Sequence, residues 1–163
     1  MKKMRMMSRA MIALMLCCAI FTSTALAAGP QVIHAGDITI ISNAQPIMPL
    51  ADGEKHILIN VSDRTATYAS PYRVSKNVNS VNGDFMQIEV SNTGDVPLNV
   101  KITYTIEGKN YTTTEILAAH KTYTTISRGE NGNGLNLNFT MEINPQTWGQ
   151  TGSFDVYAYQ SWL

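Results

Sequence analysis

Alternation with a period of two sets the strongest limit on what this chain can fold into. Over residues 98 to 107, Leu98, Val100, Ile102, Tyr104 and Ile106 alternate with Asn99, Lys101, Thr103, Thr105 and Glu107. Over residues 135 to 143, Leu135, Leu137, Phe139, Met141 and Ile143 alternate with Asn136, Asn138, Thr140 and Glu142. Successive side chains of a β-strand point to opposite faces, so each run predicts a strand with one face buried and one in water. A helix would scatter the same apolar residues around its circumference.

Shorter runs follow the same rule: Ile57, Ile59 and Val61 on one face, Met86, Ile88 and Val90 on another, and Phe154, Val156 and Ala158 on a third. Residues 111 to 117 and 121 to 127 are rich in Thr and Tyr, which favour extended chain. Residues 28 to 36 and 43 to 54 carry Pro, Gly and small residues and read as an entry segment and a long loop around one short strand at 37 to 42. Between strands, Gly108-Lys109 suits a two-residue hairpin with glycine at the first central position, and Asn82-Gly83, Thr93-Gly94-Asp95 and residues 129 to 134 mark further turns. With no helical spacing longer than a turn, the expectation is an all-β, antiparallel β-sandwich of about eight to nine strands, its main body at residues 55 to 163. A small barrel is the alternative.

The N-terminus reads differently. Lys2, Lys3, Arg5 and Arg9 precede an uncharged run over residues 10 to 20, and Ala25-Leu26-Ala27 then places small residues where a signal peptidase accepts them. Residues 1 to 27 are thus expected to form a signal peptide cleaved after Ala27. The apolar run is about half of the ~20 residues a membrane-spanning helix requires. Leu16, just before Cys17, is too bulky for a lipid-attachment motif.

Removal of that segment has two chemical consequences. Both cysteines, Cys17 and Cys18, leave with it, so the remaining 136 residues have neither disulfide nor thiolate and must fold on packing alone. Four of the 12 basic residues also leave, so eight Lys and Arg face 12 Asp and Glu, a net charge of about −4 that argues against nucleic-acid and anionic-membrane partners. An exported domain without disulfides points to a bacterial, Gram-positive source and to the extracellular space.

The segment from Ile88 to Ser127 contains Asn92-Thr93-Gly94 at a strand end, a long alternating strand leading to Gly108, and Leu117-Ala118-Ala119 before a Thr-rich strand. In this it resembles the immunoglobulin-like modules of bacterial surface and secreted proteins, of the CARDB and fibronectin-like kind, although His120-Lys121 stands where those modules usually carry Gly or another small turn residue. The resemblance implies an immunoglobulin-like sandwich and an adhesive or accessory role.

Chemistry-bearing residues are dispersed. His34, His56 and His120 form no metal-ligand spacing, although Glu54 lies two residues before His56. The acids stand singly, with no calcium-loop pattern and no serine-nucleophile motif. No catalytic, metal or cofactor residues are therefore assigned, and the reading is non-enzymatic, against the alternative of a small secreted enzyme or enzyme inhibitor with a loop-assembled site. The candidate ligand-binding residues are aromatic: Trp148, within Pro145-Gln146-Thr147-Trp148-Gly149-Gln150, and Tyr157 with Tyr159, which point away from the core if Phe154, Val156 and Ala158 point into it. The expected partner is an extracellular glycan, a peptide or protein, or a second copy of the chain.

Overall fold

The structure is a computed structural model in which residues 29–47, 54–130 and 132–163 are described. The signal-peptide assignment, its cleavage position at Ala27 and both cysteines lie outside the described residues. Among the described residues ten strands form an antiparallel β-sandwich: β1 (Gln31–Ala35), β2 (Ile38–Ser42), β3 (His56–Thr67), β4 (Tyr72–Val78), β5 (Phe85–Asn92), β6 (Leu98–Ile106), β7 (Lys109–Leu117), β8 (Thr122–Gly129), β9 (Leu137–Pro145) and β10 (Thr151–Ser161). Among the described residues the one helical element is a 3-10 turn at Ser80–Asn82. The larger sheet has the order β1-β2-β8-β5-β10-β3 and the smaller β4-β9-β6-β7.

The two long alternating runs became β6 and β9, paired through Thr103↔Thr140 at their middle. Their inward residues Val100, Ile102, Tyr104, Phe139, Met141 and Ile143 are buried against Met86, Ile88, Val90, Phe154, Val156 and Ala158 of the larger sheet. Each such aliphatic or aromatic side chain contributes about 1.5–3 kcal/mol of burial.

Four features depart from the sequence reading. Residues 31 to 35 are not an entry segment but β1, which forms a hairpin with β2 and extends the larger sheet. β4 was not foreseen: its inward positions are Tyr72, Val74, Lys76 and Val78, and the lysine breaks the apolar pattern. The turn between β6 and β7 is Glu107-Gly108, with φ of 50° and 77°. Both central residues have positive φ, the type I′ geometry that matches strand twist, and the strand accordingly stops at Ile106. Finally, β3 is bulged. Ala158 pairs with Ile59 but Tyr159 pairs with Ile57, so Leu58 is the extra residue and Ile57 is turned to the outer face, away from Ile59.

Candidate functional site

Since Phe154, Val156 and Ala158 enter the core, Tyr157 and Tyr159 lie on the outer face of the larger sheet, as alternation requires. Their ring centroids are 5.6 Å apart with planes at 42°. Tyr159 is not displayed to solvent. Its ring packs on Phe85 at 6.1 Å and lies under the Lys55 ammonium at 4.6 Å, and its hydroxyl donates to the Ile47 carbonyl at 3.2 Å. Burial, with Glu89 and Tyr157 nearby, pushes the phenol up to about 12. Tyr157 is half-buried.

Trp148 sits in the β9–β10 loop, 78% exposed. The loop is tied down where the Gln146 amide donates to the Pro97 carbonyl at 3.0 Å. Tyr157 lies six residues into β10, about 20 Å along the strand from its start at about 3.3 Å per residue. The structure therefore brings the two tyrosines together and leaves Trp148 at a separate end of the sandwich; the three do not form one plane.

What sequence reading missed is the composition of the face on which the tyrosines lie. One row of cross-strand partners runs over all six strands: Val32, Ile41, Ile126, Gln87, Tyr159 and Ile57. The next row contains His34, Thr39, Arg128, Phe85 and Ser161. An antiparallel sheet with one face on the core ordinarily turns polar residues outward; here Phe85 and Ile126 are buried on the outer face. The signal was present in the sequence, because Phe85 beside Met86 and Ile126 between Thr125 and Ser127 place apolar side chains on the parity that should be polar.

Part of the cover comes from the segment that leaves β2. The Ala44 amide donates to the Thr124 carbonyl at 3.1 Å, and the Ile47 amide donates to Gln87 Oε1 at 2.9 Å. Gln87 and Tyr159 thus read the N–H and C=O of one residue, and the amide of Gln87 is held in turn by Glu89. Beside this strap lies a groove of about 390 Å³ lined by Ile41, Ile47, Phe85, Ile126 and Leu163, with His34, Thr39, Arg128 and Glu130 around it.

The polar groups of the groove are unevenly matched. Thr39 donates its hydroxyl to Glu130 and meets His34 Nδ1 at 2.9 Å, with His34 Nδ1 3.9 Å from the Glu130 carboxylate. The hydroxyl stands between imidazole and carboxylate. A nucleophile–base–acid relay needs the imidazole in the middle, so this trio is a hydrogen-bonded rim and not a catalytic one. The Arg128 side chain, exposed, makes no ion pair or hydrogen bond with the described residues.

A second concavity, at the sandwich end beside the β6–β7 turn, is lined by Asp37, Glu107, Glu130, Asn133 and Asn136. Among the described residues no three His, Cys, Asp or Glu side chains converge as metal ligands. His120 pairs with Asp95 at 3.0 Å on the surface, and His56 lines a small cleft with Glu54, Lys55 and Trp162.

No known protein family model matches this chain, and none of the curated proteins is significantly similar to it. The physical site therefore has to stand on its own geometry. A small apolar concavity with a few polar groups at its edge is the form of a binding site.

Proposed function

We propose that this is an exported, non-enzymatic binding module of the bacterial cell exterior, acting through the groove on the outer face of its larger sheet. One observation carries the reading: Phe85 and Ile126 are buried on a sheet face that should be polar, beneath a groove whose edge carries a guanidinium with no partner among the described residues. Above these two side chains the groove is lined by Ile47 and Leu163, which are exposed and gain free energy when an apolar group covers them. The ligand classes considered are a wall glycan, a peptide and another protein or copy of the chain. The amino-terminal pattern supports export, and the net charge of about −4 after cleavage, eight basic against 12 acidic residues, weighs against nucleic acid.

The exposure of Trp148 favours a second reading, a glycan stacked on the β9–β10 loop. Both are tested by retention of the protein on peptidoglycan, wall polysaccharide and immobilised peptides. Loss of retention in Ile47→Lys, at an exposed residue of the groove lining, with none in Trp148→Ala assigns the groove. The opposite result moves the site to the loop, and unchanged retention in both variants sinks both readings.

A further inference from the structure

We infer that the groove accepts the C-terminal end of a peptide, an apolar final side chain among Ile41, Ile47 and Leu163, above the buried Phe85 and Ile126, with the terminal carboxylate on Arg128. The inference rests on the groove being the binding site and names what it takes. Charge complementarity selects the carboxylate. Of the charged groups around the groove, Glu130 is already engaged by the Thr39 hydroxyl and faces His34, whereas the Arg128 guanidinium has no partner among the described residues. Its planar fork of donors matches a carboxylate in two parallel hydrogen bonds.

The placement is compatible with one residue supplying both groups. Arg128 lies directly across from Phe85 and two positions along β8 from Ile126, on the same face. That is about 7 Å along the strand, a distance an aliphatic side chain and its own α-carboxylate can cover with the reach of an arginine. The Glu130 carboxylate retains lone pairs after its bond to Thr39, so it can also accept the amide N–H of the same final residue.

Size argues for a chain end over a passing strand. A groove of about 390 Å³, with Ile47 on the strap and Leu163 among its lining residues, has room for one or two apolar side chains. It lies at the small end of ligand sites. A sugar is the poorer fit, because the one aromatic ring lining it, Phe85, is wholly buried and hydroxyl partners are few.

The test uses the purified protein and a labelled hexapeptide with two leucines at a free C-terminus, followed by fluorescence polarisation. Two controls carry the same leucines: one ends in a carboxamide, and one places an aspartate side chain before a terminal carboxamide. The free acid is expected to bind saturably and both controls about tenfold more weakly, the range of one charge-assisted contact at a solvent-exposed rim. Arg128→Gln, whose folding is checked by circular dichroism, should bring the free acid down to the level of the carboxamide. Equal binding of acid and carboxamide overturns the inference and leaves the groove as the site. So does absence of peptide binding together with retention on a wall polymer that Ile47→Lys abolishes. Absence of both removes the inference and the groove reading together.

Discussion

The phenol of Tyr104 on β6 meets the hydroxyl of Thr125 on β8 at 2.8 Å, a hydrogen bond that crosses from one sheet to the other inside the core. Both residues are fully buried. Thr125→Val keeps the shape and removes the partner, so it should cost about 1–3 kcal/mol, the penalty of an unsatisfied buried hydroxyl. The double variant with Tyr104→Phe should be less destabilised than the sum of the two singles. Urea denaturation of the four proteins in the cycle measures this.

Alkaline pH should unfold the protein through its tyrosines. Burial raises Tyr72, Tyr104, Tyr123 and Tyr159 above the ordinary value of 10.0, Tyr159 to about 12. The unfolded chain releases these protons first, so their contribution is whole below about pH 10 and is lost as pH rises through the folded values. Denaturation at pH 8, 10 and 11 should show stability level and then falling, with a shallower fall in Tyr104→Phe.

Asn92 holds two connections at once. Its side-chain amide donates to the carbonyls of Val96, Leu117 and Ala118 at 2.9, 3.1 and 3.1 Å, and its oxygen accepts from the Gly94 amide at 3.1 Å. Asn92→Ala leaves three carbonyls short of a donor and should cost about 2–3 kcal/mol. A thermal melt would show it, and a variant as stable as the parent would contradict it.

Two glycines should separate cleanly. At Gly83, φ 141°, an added Cβ would lie 2.0 Å from the Ser161 carbonyl oxygen, backbone against backbone. Gly83→Ala should cost about 3 kcal/mol or more through overpacking and strain. Gly108, φ 77°, has nothing within 4 Å, and Gly108→Ala should cost only the left-handed penalty of about 1–2 kcal/mol. Denaturation midpoints of the pair provide the comparison.

The strap makes a local prediction. Gln87→Ala removes the acceptor of the Ile47 amide, and hydrogen exchange at that amide should accelerate about tenfold while the β5 and β10 ladders stay protected.

The fold was legible wherever alternation was uninterrupted. β6 and β9 are clear because every second residue is apolar, and the outward aim of Tyr157 and Tyr159 followed from the same parity. β4 was hidden by Lys76, whose long stem lies on the inner side. β1 was hidden by Gln31 and His34, and the bulge at Leu58 leaves no compositional mark. The cover over Tyr159 was illegible for another reason: the hydroxyl bonds to Ile47, 112 residues away, and pairings of that range depend on topology. The groove was half legible, since Phe85 and Ile126 broke parity in plain view, but which strands lie side by side does not follow from the strands alone.

Strand order has one further consequence. β10 lies between β5 and β3, and among the described residues β3 has no other neighbour in its sheet. Until residues 151–161 arrive, β3 has nowhere to dock, and six of the eight ladders join strands that are not consecutive in the chain. Such topologies fold slowly. For a polypeptide exported as proposed, this delays closure of the sandwich until the last strand is available, and keeps the chain loose enough to be threaded through a translocation pore before it becomes a protein.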